Sequence, residues 1–410
     1  MMTALIKKKY CGMPQSERRK AEMTKSKTEI SQYSKNMVMI LGVVILFFIF
    51  NALTNHIFMS VRNLTLLLKQ GSVLMIVASG LMMLLVERNF DLSGGAAVYF
   101  ISAFLSQMIV NYNLSIPLAI TLSICMGLCM GAMNGFFVGI VGVPAFIGTL
   151  AAQQLFKGIG YTWTNAATIG PIPESLQFLS EGYIPPLQSA ILLTIIAAVG
   201  ILLVLLNYKK MKQWYNGTAK LIISIFSIII FYIIALWIFT GYYGIPMCVF
   251  FAGSMVAITG FISQKSVFGR NIYSIGGNPE AARLSGIKTK IRVFQSYLYM
   301  GLIYGIAGIV ITARLGGSTA TTGNLIELDA VAAACIGGTS MSGGVGRITG
   351  VAMGVFILSA VDNVMSLMNV SSYAQMVVKG LILLTAVCLD VYMNVSRTKM
   401  KKEKSKLIAQ

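Results

Sequence analysis

Long apolar segments alternate with short polar ones along nearly the whole chain. An α-helix of about 20 apolar residues spans the hydrocarbon core of a bilayer, and most of these segments approach or exceed that length. The pattern predicts membrane-spanning helices near 37–54, 70–87, 92–111, 116–141, 144–161, 187–206, 219–239, 244–263, 292–313, 347–368 and 373–393. A weaker stretch at 328–345 is rich in small residues, which is also typical of a half-helix or a re-entrant segment.

Basic residues gather in four of the polar segments. Residues 1–36, 207–220, 265–292 and 394–410 hold 25 of the 32 Lys and Arg residues. Because cytoplasmic segments carry an excess of Lys and Arg, all four are expected on the cytoplasmic side. An even number of spans must then separate them, so 328–345 has to cross or a neighbouring span is misassigned. We predict an all-α bundle of 10–12 spans with both termini cytoplasmic.

This pattern also predicts the domain organisation. We expect a basic cytoplasmic tail over 1–36, a transmembrane domain over 37–393 and a second basic tail over 394–410, with a polar cytoplasmic loop at 264–291. The longest external loop is 162–188, and the segment "LGGSTATTGNLIELDA" is also expected outside. No segment outside the membrane is long enough for a soluble catalytic domain.

The composition narrows the classes of function. Hydrophobic residues make up 56% of the chain and charged residues only 11%, against about 25% charged in soluble domains. The net charge of +19 lies in the polar segments between spans, which indicates contact with membrane lipid and not with nucleic acid. The sequence contains no G-x-x-x-x-G-K-[ST] motif, the motif that forms a phosphate-binding loop. The single histidine, His56, is too few for a His-rich metal site.

Polar side chains inside the spans or directly beside one are candidates for a solute pathway: Asp91, Asn134, Gln153, Gln154 and Asn363. They could hydrogen-bond a passing solute, or they could join helices to one another. Asp91 or Ser93 could also cap the first amides of the following helix.

Two ionisable residues lie deeper in the last two spans. Asp362 and Lys379 would face one another across the final hairpin, and we favour a structural ion pair there. A proton relay needs a series of such residues, and the sequence shows none, which weakens the case for a secondary transporter.

Glycine recurs at every fourth position in one span, at 127, 131, 135 and 139. Such a ridge lets two helix backbones approach closely within a membrane. We expect it to pack inside the protein in preference to forming a subunit interface.

The segment "NPEAARLSG" carries a full set of helix signals in a polar loop. Asn278 is a good N-cap, and Pro279 at the first helical position loses only an amide that would be unpaired anyway. Glu280 complements the positive end of the helix dipole, and Arg283 can pair with it. Gly286 can adopt the left-handed conformation that ends a helix. About two turns are unstable alone in water, so either the membrane domain or a partner must hold this helix.

The chain resembles the permeases of ATP-binding-cassette (ABC) importers for ribose, xylose and related monosaccharides. The resemblance rests on "FGRNIYSIGGNPEAARLSGIKTK" and "GIAGIVITARLGGSTATTGNLIELDAVAAACIGGTSMSGGVGRITG", together with "FDLSGGAA" and "NGFFVGIVGVPAFIGTLA". It covers most of the chain after residue 60. Three features depart from the family: Gly94 replaces a usual Val, Glu87 and Arg88 replace uncharged residues, and 207–243 adds a basic loop and a span. The longer xylose-type and multiple-monosaccharide permeases are similar in that last respect.

The resemblance implies a transport subunit of the cytoplasmic membrane that carries out no chemistry itself. In that family the Glu-Ala-Ala segment is the coupling helix that docks on the ATPase. Matched here, the coupling residues are Asn278, Pro279, Glu280, Ala281, Ala282, Arg283 and Gly286. The implied partners are ABC ATPase subunits that bind ATP and Mg²⁺, an external sugar-binding protein and a second copy of the permease.

Other functions stay open on the sequence alone. Related permeases carry autoinducer-2, nucleosides or branched-chain amino acids, and a stand-alone secondary transporter or channel is a separate class. A polytopic membrane enzyme is a third class, which the shortage of His and of clustered acids disfavours.

Overall fold

A computed structural model of the chain describes residues 45–206, 208 and 217–409. The predicted tail over 1–36 and the start of the first predicted span lie outside the described residues. Helix α1 covers residues 45–53. The other elements are α2 (Val61–Val86), α3 (Gly94–Val110), α4 (Ile116–Gly135, continued by a π-helical turn Phe136–Val141), α5 (Ala145–Thr164), α6 (Glu174–Glu181), β1 (Tyr183–Ile184), α7 (Pro186–Leu206), α8 (Gly217–Thr240), β2 (Ile245–Pro246), α9 (Met247–Lys265), α10 (Val267–Gly277), α11 (Pro279–Leu284), α12 (Thr289–Leu315), α13 (Ile326–Ile336), α14 (Ile348–Leu367) and α15 (Ser372–Ala409).

The predicted polytopic helical bundle is confirmed. Among the described residues, eight helices are long and apolar enough to cross a membrane: α2, α4 with its π-helical turn, α7, α8, α9, α12, α14 and the first part of α15. Predicted spans at 92–111 and 144–161 are the helices α3, of 17 residues, and α5, of 20 residues. The two short strands pair antiparallel, with Tyr183 opposite Pro246. On which side of the membrane the termini lie stays a prediction.

The chain divides into two compact units. The described part of the first unit comprises residues 45–60, 190–206, 208 and 217–237. In it, α7 and α8 run antiparallel, since Thr194 Oγ1 lies 3.0 Å from Tyr232 Oη and Gly200 faces Ile228. Most of the apolar side chains on these two helices are exposed, as expected where lipid is the solvent.

The described part of the second unit comprises residues 61–189 and 238–409. Helix α2 lies at its centre and is buried along most of its length, with α9, α12, α13 and α14 packed around it. A helix that is apolar on all sides belongs in such an interior.

The glycine ridge of α4 packs against α12 within the second unit, as predicted. A Cβ on Gly131 would lie 2.7 Å from Gly301 Cα, and one on Gly127 would lie 2.9 Å from Gly305 N. At Gly135 and Gly139 the nearest atoms belong to the α12 backbone around Phe294. The two helices can therefore touch backbone to backbone only because these positions lack side chains.

Contacts between distant segments mark the two ends of the second unit. At one end, which carries α10 and α11, Val86 O accepts a hydrogen bond from Gly344 N. At the opposite end, Ile169 pairs with Ser318 and Arg314 donates to the carbonyl of Gln70. The chain from 316 to 344 therefore crosses the whole unit, which satisfies the even-number requirement.

That crossing is made in two parts, which corrects the predicted span at 328–345. Residues 316–325 form an irregular segment, and α13 then continues for 11 residues, or about 16 Å. Helix α3 also begins inside the unit, because Gly94 packs against Tyr304, which lies about 22 Å along α12 from Thr289 at 1.5 Å per residue. Both α3 and α13 are thus half-helices.

Candidate functional site

The N-termini of the two half-helices meet in the interior of the second unit. The backbone amide of Gly95, in the first turn of α3, donates to Glu327 Oε2 at 3.0 Å. Glu327 itself lies in the first turn of α13. The two helices run from this point toward opposite ends of the unit. We call it the half-helix junction, and define it by residues 90–95, Asn134, Gln153, Tyr304 and Glu327.

A buried polar network occupies the α3 side of the junction. Asp91 Oδ1 accepts hydrogen bonds from Ser93 N at 2.9 Å and Ser93 Oγ at 2.6 Å. Asn134 Nδ2, from α4, donates to Ser93 Oγ at 2.8 Å and lies 3.5 Å from Asp91 Oδ2. Asp91 and Asn134 are only 1% and 2% exposed. The network therefore joins the irregular segment before α3 to a neighbouring helix.

The carboxylate of Glu327 bridges both half-helices and α5. Besides accepting from Gly95, it accepts from Gln153 Nε2 at 3.0 Å, and Lys157 lies within electrostatic range. A helix N-terminus carries about half a positive charge, so a carboxylate at the point where two N-termini meet is electrostatically favourable. Glu327, on α13, caps the first turn of α3 by accepting from Gly95 N. The sequence had predicted Asp91 or Ser93 for this role, and these two residues make other bonds. Asp91 binds Ser93 N, and the Ser93 side chain makes no capping bond.

Glycine permits the close approach at the junction. A Cβ on Gly95 would collide with Glu327 Oε2 and Gly323 O. Gly323 has a φ of 71°, a left-handed conformation that L side chains rarely adopt. At Gly94 the neighbours are less crowded, with Tyr304 Oη 3.2 Å from the position of a Cβ.

The structure separates the predicted pathway residues into two groups. Asp91, Asn134 and Gln153 come together at the half-helix junction. Gln154 is exposed on the outer face of α5, beside Leu155 and Trp163. Asn363 pairs through reciprocal amide hydrogen bonds of 2.8 and 3.1 Å with Asn63, away from the junction. The polar residues in the spans could bind a solute or join helices, and for Asn363 the structure supports the second interpretation.

Sequence reasoning missed Glu327 and Tyr304. It placed Glu327 in an external segment, but the side chain is 4% exposed in the interior. The available signal was local: two acidic residues open an alanine-rich helix in "IELDAVAAACI", which is typical of a helix N-terminus. Tyr304 interacts with the Asp91 carboxylate, but its hydroxyl makes no hydrogen bond of normal geometry among the described residues.

The predicted pair of Asp362 and Lys379 exists and has a third member. Lys379 Nζ lies 2.8 Å from Asp362 Oδ2 and 2.9 Å from Asp329 Oδ2. Asp329 is on the half-helix α13, so one lysine ties α13 to α14 and α15. This arrangement supports a structural role, and we call Asp329, Asp362 and Lys379 the charged clasp.

The short helix α11 forms with the predicted boundary residues. Asn278 Oδ1 accepts from Ala281 N at 3.1 Å, Pro279 is the first helical residue, and Gly286 has a φ of 83°. Arg283 lies 3.1 Å from Glu280 Oε1, and both side chains are largely exposed. Only Ala282 is buried in this helix, which leaves the rest of its surface open to a partner.

The end of α2 and two other segments meet beside this helix. Arg88 Nε and Nη2 donate to the carbonyls of Gly276 and Gly277 at 2.7 and 3.1 Å. Gly344 N donates to Val86 O at 2.8 Å. We call this contact among residues 86–88, 276–277 and 343–346 the three-way contact. It links the base of α11 to both segments that lead to the half-helix junction.

Comparisons with known proteins agree with the resemblance seen in the sequence. The family described as "Branched-chain amino acid transport system / permease component" matches residues 63–387. The xylose transport system permease protein XylH of Haemophilus influenzae is 34% identical over 362 residues, covering 86% of this chain and 95% of that protein. The L-arabinose transport system permease protein AraH of Escherichia coli K12 is 31% identical, covering 82% and 83%. The ribose import permease protein RbsC of Bacillus subtilis is 32% identical, covering 85% and 91%. No solved structure matches the chain significantly.

Proposed function

The chain belongs to this family of transport-system permeases, and we propose that it is the membrane-spanning subunit of an ABC importer that carries a monosaccharide. The observation that carries the proposal is the match, over more than four-fifths of the chain, to permeases for xylose, L-arabinose and ribose. Xylose or a related pentose or hexose is the proposed substrate.

The chemistry of the half-helix junction supports a neutral, hydroxyl-rich solute. Its side chains offer carboxylate, amide and hydroxyl groups, which can exchange their mutual hydrogen bonds for bonds to sugar hydroxyls. The preference for a sugar over the amino acids named in the family description rests on the similarity to permeases for xylose, L-arabinose and ribose.

The energy for transport comes from partner chains in this proposal. With no phosphate-binding loop in the sequence, ATP and Mg²⁺ are bound by ATPase subunits, and α11 docks on them as the coupling helix. The end that carries α10 and α11 then faces the cytoplasm, in agreement with its basic residues. An external sugar-binding protein delivers the substrate at the opposite end, and two copies of the chain form the transporter.

Uptake measurements test the proposal. The chain is reconstituted in liposomes with an ABC ATPase and a sugar-binding protein from the genome that encodes it, and ATP-dependent uptake of labelled xylose, ribose, L-arabinose and leucine is compared. We expect uptake of at least one sugar and none of leucine. Uptake driven by an ion gradient without ATPase subunits would contradict the proposal and favour a secondary transporter.

Two adjacent glutamines of α5 test the role of the junction. Gln153→Ala removes a side chain that binds Glu327, whereas Gln154→Ala removes an exposed one from the same helix. A lost hydrogen bond to a charged group is worth about 1.5–3 kcal/mol, so we expect Gln153→Ala to change the KM or maximal rate of uptake about tenfold or more. Equal uptake by the two variants would contradict a pathway through the junction.

The coupling assignment of α11 has its own test. Glu280→Lys reverses an exposed charge on α11 and removes its bond with Arg283, so we expect the assembled transporter to lose sugar uptake while the protein stays in the membrane. Glu174→Lys makes the same change on an exposed residue at the opposite end and serves as the matched control for docking of the ATPase. Normal uptake by the Glu280 variant would refute the assignment.

A further inference from the structure

Arg88 lies where the last turn of α10, directly before the coupling helix α11, meets the end of α2 and the segment before α14. We infer that Arg88 is the positioning residue that transmits movement of α11 to the half-helix junction through residues 89–93, the segment that leads into α3. The inference rests on the proposed coupling role of α11, and goes beyond it by assigning the route and the residue on which the route depends.

The first observation is that Arg88 binds the end of α10. The last carbonyls of a helix have no partner within it and carry the negative end of the helix dipole. Arg88 supplies donors to two of them, Gly276 O at 2.7 Å and Gly277 O at 3.1 Å. Because a guanidinium is planar, its two hydrogen bonds fix the orientation of the end of α10 relative to Arg88 as well as the distance between them. The bonded residues immediately precede Asn278, the N-cap of α11.

The second observation is that the backbone around Arg88 leaves little freedom. Arg88 has a φ of 70°, in the left-handed region that is uncommon for residues other than glycine. Val86 O accepts from Gly344 N at 2.8 Å, and a Cβ on Gly276 would lie 2.7 Å from that same nitrogen. Three segments of backbone are therefore in direct contact, and a displacement of one must be followed by the others.

The third observation is that two arms leave the three-way contact for the half-helix junction. Residues 89–93 form the first arm and carry Asp91, and Tyr297 Oη holds Phe90 O at 2.7 Å. The second arm is the segment 337–346 that follows α13, the helix of Glu327. Tyr273 of α10 donates to Gly346 O at 2.7 Å, so α10 is bonded directly to the second arm and, through Arg88, to the residue just before the first arm.

Helix α10 is suited to transmit movement from α11 to the three-way contact. It is 11 residues long, with Ile272 and Ile275 buried against the unit and Ser266 capping its first turn. A force that displaces the exposed α11 must pass through Asn278 into this packed helix. Arg88 then carries it to the first arm, and the Tyr273 bond carries it to the second.

The experiment compares Arg88→Met, Arg88→Lys and Arg270→Met in the full transporter in liposomes. Arg88 is solvent-exposed, so the substitution leaves no cavity. Arg270 is an exposed arginine of α10 whose guanidinium, among the described contacts, bonds only locally, to Lys265 O at 3.1 Å, so its variant removes the same charge from the same end. The measured quantity is ATP hydrolysed per sugar transported, with sugar transport by the wild type establishing the proposed function separately.

We expect Arg88→Met to raise ATP hydrolysed per sugar at least about fivefold, the lower end of usual coupling factors. Arg88→Lys keeps the charge but has one donor nitrogen in place of the two that Arg88 uses, so it should recover part of the coupling. Arg270→Met should behave as the wild type. A misfolded variant would lose ATP stimulation and transport together. If the wild type transports sugar and Arg88→Met keeps the wild-type ratio, or if Arg270→Met uncouples equally, the inference is wrong.

Hydrogen exchange on the full-length chain alone gives a second readout. Three amides report on the first arm and on the start of α3, to which it leads: Leu92 N, bound to Thr149, Ser93 N, bound to Asp91, and Gly95 N, bound to Glu327. We expect them to exchange at least about fivefold faster in Arg88→Met than in Arg270→Met. Equal protection in the two variants would overturn the inference whatever the partners prove to be.

Discussion

Glu87 makes the stability of the protein depend on pH in a direction that can be worked out. It is the first residue beyond α2, and its side chain is 3% exposed. Burial raises the pKa of its carboxyl from 4.5 to about 7, while the nearby Ser296 and Asn89 oppose that rise less strongly. Neither carboxyl oxygen makes a hydrogen bond of normal geometry among the described residues. The neutral acid is therefore the form that the fold favours.

The size of the effect follows from the two pKa values. Below pH 4.5 the carboxyl is protonated in both the folded and the unfolded chain, so it contributes no pH dependence. Between 4.5 and about 7 the folded state alone keeps the proton, and the free energy of unfolding falls as the pH rises. Each pKa unit corresponds to about 1.4 kcal/mol, so the full loss above pH 7 is about 3 kcal/mol.

Glu87→Gln is the perturbation that isolates this loss. Glutamine has nearly the shape of the protonated acid but cannot ionise, so the variant should match the wild type near pH 4. At pH 8 its free energy of unfolding should exceed that of the wild type by about 3 kcal/mol. Reversible unfolding in mixed detergent micelles, followed between pH 4 and 8, measures both curves.

A second measurement reports the proton directly. The infrared carbonyl band of a protonated carboxylic acid should be stronger in the wild type than in Glu87→Gln at pH 6, and the difference should vanish as the pH rises through 7. Parallel stability curves for the two proteins across this range would refute the reasoning. So would a variant that is less stable than the wild type at pH 8.

Two further predictions concern packing and the charged clasp. Gly131→Ala places a Cβ 2.7 Å from Gly301 Cα and should lower the free energy of unfolding by about 1–3 kcal/mol, whereas Gly158→Ala, with open space around it, should lower it by nothing measurable. Lys379→Met leaves two partly buried acids without their cation and should cost about 3 kcal/mol, and neutralising both acids with Asn in the same chain should recover most of that loss. Unfolding in detergent measures each, and a Gly131 variant as stable as its control, or a triple variant no better than Lys379→Met, would contradict these assignments.

Features that depend on neighbouring residues in the sequence could be predicted well. The spans follow from uninterrupted apolar runs, and α11 follows from its N-cap, its first-turn proline and its terminal glycine. The ridge at Gly131 was also readable, because a four-residue repeat of small side chains has one structural use inside a membrane. In each case the physical cause lies within about one helix length.

The half-helix junction could not be predicted in the same way. Its central contact joins Gly95 to Glu327, 232 positions apart, and no local pattern encodes that pairing. The neighbours Gln153 and Gln154 show a second difficulty. In a soluble helix the polar face points to water, but in a membrane the lipid side and the interior are both apolar. Periodicity therefore gives no sign of which glutamine faces inward.

Side chains around the half-helix junction also have a structural task, which decides where the candidate pathway is best tested. Irregular backbone at membrane depth is tolerated only where protein or a water-filled cavity surrounds it, and 87–93 and 316–325 are both irregular. Side chains satisfy their backbone groups: Tyr297 binds Phe90 O, and Tyr161 binds Ala320 O at 3.0 Å. Removing such a residue disturbs the backbone and the candidate pathway together. Gln153 is the more informative position, because it binds only a side chain of the junction among the described contacts, so its loss changes the chemistry of the pathway while the irregular backbone keeps its bonds.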